Sequence, residues 1–274
     1  MVCDYRPFKD DPYRTRLTIG GDKLEYFGNP ASPAASLLET KLIINSVISD
    51  SHRGARFCSI DIKDHFLQSI LPDPEYMKIH GKYFFDDIRQ QYDIDNIIDP
   101  DGYVYCKIVK GMYGLKQAAM LGRQNIIDVL APFGYAPDPM APNIWTHKTR
   151  PTKFCLCVDD FGIKYFSSAD LDHLITALKT AFDISIDKEG NQYCGLHLRW
   201  NYSEGYVDIS MPEFVYKTLE KLQHPPPVKE QHSPHRHTPP RYGQQQQFVN
   251  PPDTSKLLSS EDITHIQQIV GSFL

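Results

Sequence analysis

Three aspartates stand where carboxylates could hold metal ions: Asp61 in the run FCSIDI (Phe57 to Ile62), and Asp159 with Asp160 in FCLCVDDFGIKYF (Phe154 to Phe166). An acid set among β-branched and apolar residues costs free energy by desolvation unless it is paired or binds a cation. Two adjacent carboxylates add mutual repulsion, which a divalent cation relieves. Carboxylates delivered to one site by neighbouring strands suit two-metal phosphoryl transfer, in which one ion activates an attacking hydroxyl and the other steadies the leaving pyrophosphate. Taken alone, VDDFG has a plainer alternative as a polar turn between two strands.

Both acidic runs have the length and composition of strands. Successive strand residues point to opposite faces, so a hairpin turn beginning at Asp159 and Asp160, helped by Gly162, suits the pair better than a straight strand. Leu37 to Ile48 and Leu171 to Phe182 have helical periodicity, the second preceded by Ser168 as an N-cap. A further helix is expected from Ala118 to Leu130, after a glycine-punctuated turn. Strands bearing acids, with helices between and after them, predict an α+β domain with one sheet face covered by helices.

With 274 residues, 41% of them apolar and 12% aromatic, the chain can bury a sizeable core. Its formal charge of −5 argues against coating nucleic acid through bulk electrostatics, while allowing a local basic cleft. Six cysteines lie scattered without a CxxC pair or a zinc-like spacing and read as reduced, mostly buried thiols. No apolar run approaches the roughly twenty residues of a membrane span, and MVCDYRPFKDD lacks the apolar core of a secretion signal. The expectation is an intracellular protein without membrane contact. From about Tyr5 to Leu222 the sequence reads as globular. His224 to Asp253, dense in Pro, Gln and His, reads as an extended linker. Ser259 to Asp262 then opens a helix with apolar positions at Ile263, Ile266, Ile269 and Val270. The chain stops within that element, which predicts a longer protein cut, or a reading frame broken, near Leu274.

The order of motifs resembles the reverse transcriptase domain of Ty1/copia-type retrotransposon polyproteins, roughly from Arg14 to Trp200. CSIDIKDHFLQS (Cys58 to Ser69) looks like the first acidic motif, an Asp followed five positions later by an aromatic. GMYGLKQAA (Gly111 to Ala119) is similar to the YGLKQA signature, the most specific of the matches. CVDDFGIKYF (Cys157 to Phe166) resembles the YVDD box, and YCGLHLRW (Tyr193 to Trp200) the hairpin that follows it. RTRLTIGGD (Arg14 to Asp22) looks like the upstream fingers segment.

The resemblance implies an α+β right-hand polymerase of fingers and palm, the palm an antiparallel sheet packed on helices. It implies residues 1–56 as fingers and lead-in to the palm and 57–222 as palm with interspersed fingers elements, the reverse transcriptase domain covering about 5–222. Residues 223–256 would be the linker and 257–274 a truncated helix leading toward a missing RNase H region. Asp61 and Asp159 would be the main ligands of two Mg2+ ions, replaceable by Mn2+, with Asp160 assisting. Phe66 would be the steric gate that favours dNTP over rNTP; on periodicity alone it is equally a core Phe. Arg14 and Arg16 would reach the triphosphate, and Tyr113, Gly114, Lys116 and Gln117 would line the template and nucleotide pocket. Lys188 would serve as a general acid for pyrophosphate. The implied partners are an RNA or DNA template with its primer, and dNTPs. The implied location is cytoplasmic virus-like particles, the nucleus, or both.

The chain departs from the pattern in several places. Cys157 replaces the usual aromatic beside the aspartate pair. His65 stands where a small residue precedes the gate, so its ring either crowds the nucleotide pocket or turns away. MLGRQ lacks a frequent Pro, and no protease, integrase or RNase H motif is present. Three functions are therefore weighed: an RNA-directed DNA polymerase, a retroelement remnant that keeps the fold with little or no activity, and a palm-like metal-dependent enzyme acting on a small nucleotide.

Overall fold

The protein is described from a computed structural model, covering residues 2–5, 12–225, 229, 254 and 256–273. Strands β1 (Val2–Tyr5) and β2 (Tyr13–Arg16) precede helix α1 (Leu37–Ser49) and strand β3 (Arg56–Ile62). Strands β4 (Ile70–His80) and β5 (Tyr103–Lys110) flank the short helices α2 (Asp86–Gln91) and α3 (Ile94–Ile97). Helix α4 (Ala118–Leu130) leads to β6 (Tyr135–Pro137), β7 (Ile144–His147), β8 (Lys153–Cys157) and β9 (Asp160–Tyr165). Helix α5 (Ser168–Lys179) is followed by β10 (Ile184–Asp187), β11 (Gln192–Tyr193), β12 (Leu196–Asn201) and β13 (Tyr206–Ser210). Helices α6 (Pro212–Lys221) and α7 (Ser260–Gly271) come last. The chain divides into two compact units, Met1–Ser210 and Met211–Leu274.

The first unit is built on a six-stranded antiparallel sheet in the order β10-β3-β9-β8-β7-β6. Its alternating side chains feed two cores, as the period of two in a strand requires. On one face, Cys58, Ile60, Ile62, Phe161 and Ile163 pack with Ile126 and Leu130 of α4 and with Leu171, Leu174 and Leu178 of α5. On the other, Phe57 and Cys155 meet Ile43, Ile44 and Val47 of α1, together with Tyr193 and Leu198 from the three-stranded sheet β11-β12-β13. The fold is mixed α and β with antiparallel sheets. The expectation of helices on one face is corrected here: helices lie on both, because β3 and β8 carry apolar residues at odd and even positions alike.

Helix α1 begins where expected, its N-terminus closed by a capping box between Ser36 and Glu39. Its C-terminal end is tied to the sheet by the buried Lys164 of β9. This lysine donates to the Ser46 carbonyl at 2.7 Å and to Asp50 Oδ2 at 2.5 Å, a cation at the end where the helix dipole favours one. Helix α4 spans the predicted residues. Helix α5 starts earlier than its periodicity suggested: Ser167, rather than Ser168, is the N-cap and accepts from the Asp170 amide. Polar residues in a first turn carry no apolar signal, which explains the late sequence boundary.

Strands β4 and β5 form a separate antiparallel ribbon, whose Met77 and Ile108 pack with Leu71, Met112, Leu115 and Ala118 in a third apolar cluster. In the second unit, Ser259 caps α7 through a capping box with Asp262, as the helix-start signal predicted. Ile263, Ile266 and Val270 on that helix are exposed. The expected Pro/Gln/His-rich linker lies almost wholly outside the described residues. Among the described residues no helix is long and apolar enough to cross a membrane.

Candidate active site

The sheet register assembles the acidic residues. Asp61 on β3 lies directly opposite Asp160 on β9, and Asp160 lies opposite Cys157 on β8, so the three form a row across adjacent strands. Asp159 occupies the two-residue turn between β8 and β9. That turn is centred on Val158 and Asp159, one residue earlier than expected. Gly162 does not form it: a Cβ there would fall 2.9–3.1 Å from the Tyr193 ring, so its role is to let that ring seat against β9. Val158 has φ 62, a left-handed conformation that a β-branched residue adopts only under strain. The turn is pinned by the Ile62 amide, which donates to the Asp159 carbonyl at 3.1 Å.

Burial, and next the Asp61 carboxylate, raise Asp159 above the ordinary carboxylate range, while Arg16 and Arg14 pull it back. Asp159 thus lies within electrostatic reach of one further carboxylate and of two guanidinium groups. Arg14 pairs with Asp64 at 3.9 Å. Arg16 lies over the Tyr113 ring at 4.7 Å, and its Nε is buried without a hydrogen-bond partner. Phe66 meets Tyr113 edge to face at 5.3 Å, half-buried on the short 3-10 helix His65–Gln68. The acids, Arg14, Arg16, Phe66 and Tyr113 therefore belong to one neighbourhood. Among the described residues, no three His, Cys, Asp or Glu side chains form a ready-made cation cage.

The signature GMYGLKQAA positions this neighbourhood through its backbone. Gly114, at φ 97, crosses the upstream segment so closely that a Cβ would lie 2.1 Å from the Ile19 carbonyl oxygen, and one on Gly21 would lie 1.7 Å from the Gly114 carbonyl oxygen. The Ile19 amide donates to the Tyr113 carbonyl at 2.9 Å. Lys116 donates to the Leu24 carbonyl at 2.7 Å, and the buried Gln117 donates to Glu75 at 3.1 Å. Lys116 thus braces the segment that follows Arg14 and Arg16, while Gln117 ties the signature to β4. Lys188 is not brought to the carboxylates. It follows β10, whose Asp187 pairs with Ser59, placing it by Cys58 about 10 Å along β3 from Asp61.

His65 turns into the core. It is 2% exposed and packs against Phe182, and a Cβ on Gly122 of α4 would fall 2.5 Å from its Nε2. Burial lowers it to about 4 from 6.5. The folded state therefore resists a proton that the unfolded chain accepts, and stability falls as pH drops from about 6.5 toward 4. At about 1.4 kcal/mol per pH unit the loss reaches roughly 3 kcal/mol. Thermal melts at stepped pH should show this decline, and His65→Asn should flatten it; an equally steep decline in the variant would assign it to other groups.

Cys194 was not singled out by sequence. Its Sγ donates to Asp160 Oδ2 at 3.8 Å, and it is in hydrogen-bonding contact with the Cys157 thiol. That contact holds Cys157 below its ordinary range and raises Cys194. The two cysteines are far apart in the chain, so no spacing rule could link them.

No family model matches the chain. It is similar to a Saccharomyces cerevisiae protein assigned to transposon Ty5-1, with 25% identity over 166 residues. The match covers 60% of the chain and 49% of the yeast protein, so the chain spans about half the length of the relative it matches.

Proposed function

We propose that the chain is the fingers and palm of an RNA-directed DNA polymerase of a Ty1/copia-like retroelement. The observation that carries this reading is the cross-strand placement of Asp61 against Asp160, with Asp159 in the adjoining turn and two arginines facing the acids. In this reading Asp61 and Asp159 hold two Mg2+ ions and Asp160 assists. The residues fit such ions: Mg2+ is usually held by one or two carboxylates plus waters and substrate phosphates, and a cation offsets the burial and the Asp61 repulsion that raise Asp159. The ions would supply activation of a primer 3′-hydroxyl and stabilisation of charge on the departing pyrophosphate. The unpartnered Nε of Arg16 suits a phosphate oxygen, with Arg14 beside it. Tyr113, Gly114, Lys116 and Gln117 would line the template and nucleotide pocket, with Lys116 held on the Leu24 carbonyl and Gln117 on Glu75. Lys188 would need to move toward the carboxylates to serve as an acid.

Phe66 would lie under the incoming sugar. Phe66→Ala should reduce the preference for dNTP over rNTP by on the order of 10²-fold, the scale on which an apolar pocket discriminates against a hydroxyl. Competition of dTTP with UTP on one template measures it; an unchanged ratio would leave Phe66 as a packing residue for Tyr113.

The test of the main reading is incorporation of labelled dTTP on poly(rA)/oligo(dT) with Mg2+ or Mn2+. Product that depends on template and cation is expected. No product with either ion would favour the retroelement remnant, and triphosphate turnover without template would favour the small-nucleotide enzyme. One of the two substitutions behind the remnant reading loses force, since His65 packs in the core, whereas Cys157 remains beside the aspartates.

A further inference from the structure

Two hairpin turns abut at the aspartates. One is Cys157–Asp160, with Val158 at φ 62; the other is Tyr193–Leu196, with Cys194 at φ 48 and Gly195 at φ 78. Two positive φ values in a two-residue loop are the pattern of a type I′ turn, where Asn-Gly is favoured, so a cysteine is held there at some conformational cost. The turns are locked together by Tyr193. It is 2% exposed, its ring lies against Gly162, and its hydroxyl donates to the Cys155 carbonyl at 3.1 Å. This packing sets the Cys194 thiol 3.8 Å from the carboxylate of Asp160, whose cross-strand partner on β8 is Cys157, so both cysteines flank one aspartate. Cys194 is exposed and Cys157 half-buried, so a small oxidant reaches the pair from solvent.

We infer that Cys157 and Cys194 form a reversible disulfide beside the aspartates, through which hydrogen peroxide or a low-molecular-weight disulfide closes the cation site. The disulfide rests on the placement of both cysteines at Asp160, Cys157 opposite it across the strands and Cys194 on its carboxylate; its closing of a cation site rests on the function proposed above. One thiolate attacks peroxide to give a sulfenic acid and hydroxide, and the second thiol displaces water from that sulfur. In total the two thiols lose two electrons and two protons, and peroxide becomes two waters. A reducing thiol reverses the step by exchange. Bond formation draws the sulfurs together to about 2.05 Å. Cys157 immediately precedes the turn that carries Asp159, so the turn shifts toward β11 and β12, and the Cys194 thiol no longer donates to Asp160. A site held to within about 0.5 Å of its working geometry loses affinity under such a shift.

The test uses the full chain, reduced with dithiothreitol or treated with hydrogen peroxide. Peptide mapping under non-reducing conditions reads the cross-link, and the free-ion resonance of Mn2+ reads cation binding, so neither readout needs template or primer. A linked peptide pair containing Cys157 and Cys194 is expected, with Mn2+ affinity at least about tenfold weaker in the oxidised chain. Dithiothreitol should restore the affinity, and Cys194→Ser and, separately, Cys157→Ser should bind Mn2+ alike before and after peroxide. Absence of the linked pair overturns the inference, as does equal Mn2+ affinity in the two states or no Mn2+ binding by the reduced chain. A reduced chain that binds Mn2+ in this redox-dependent way but incorporates no dTTP would sink the polymerase reading and leave the disulfide gate standing.

Discussion

Replacing Asp159 with Asn should reduce templated dTTP incorporation by on the order of 10³-fold while leaving the fold as stable as before, or more so. The first effect follows from the charge stabilisation that a bound metal supplies, several kcal/mol at about 1.4 kcal/mol per decade of rate. The second follows from electrostatics. Burial and the Asp61 carboxylate both raise Asp159, so its ionised form is disfavoured in the folded state. A raised carboxylate destabilises the fold above its folded pKa, and the penalty fades as pH falls through that value. At neutral pH Asn removes the penalty, so the melting temperature should hold or rise. Loss of activity with retained stability is the mark of a group kept for function at the expense of the fold. A turn residue with no role in chemistry would give the opposite pattern, activity retained in the Asn variant, and that outcome would remove Asp159 from the site.

Gly114→Ala should be among the most damaging substitutions to structure. Its Cβ would lie 2.1 Å from a backbone oxygen of Ile19, and the residue is at φ 97, where alanine is strained even without a neighbour. Neither atom is the end of a flexible side chain, so relief requires the two segments to separate and the hydrogen bond from Ile19 to Tyr113 to break. A loss of about 3 kcal/mol or more is expected. Hydrogen exchange should locate it: the Ile19 amide should lose protection, while the amides of β3 and β9 keep theirs. Nucleotide affinity should fall too, because the segment that loosens carries Arg14 and Arg16. An Ile19 amide as protected as in the parent would mean that the crossing does not depend on Gly114.

Much of this arrangement was legible in the chain, for identifiable reasons. Asp61, Asp159 and Asp160 stood out because acids in apolar strands violate the usual pattern, and the paired strands bring Asp61 and Asp160 opposite each other. The glycines of GMYGLKQAA marked a turn, but the chain gave no sign of the backbone it would cross, since Ile19 and Gly21 lie almost a hundred positions earlier. The turn at the aspartates was misplaced by one residue because Gly162 was the visible turn former, whereas a strained valine occupies the bend. The second covered face of the sheet was missed because α1 and the hairpin after β10 meet it only through long-range packing. Cys194 was invisible for a similar reason: a lone cysteine in a sequence has no partner until two turns are folded together. Lys188 was placed by motif analogy alone, and the register sets it beside Cys58, about 10 Å along β3 from Asp61.

The fit of His65 into the space left by Gly122 has a consequence for inheritance. A ring on the 3-10 helix and a missing side chain on α4 are two halves of one volume, so neither position is free to drift by itself. Replacing His65 with a small residue would open a hole against Phe182, and enlarging Gly122 first would drive the ring out of its pocket. A lineage passing between the two states must therefore cross a poorly packed intermediate or change both residues together. Descendants should carry the two positions as a matched pair, large with small or small with large.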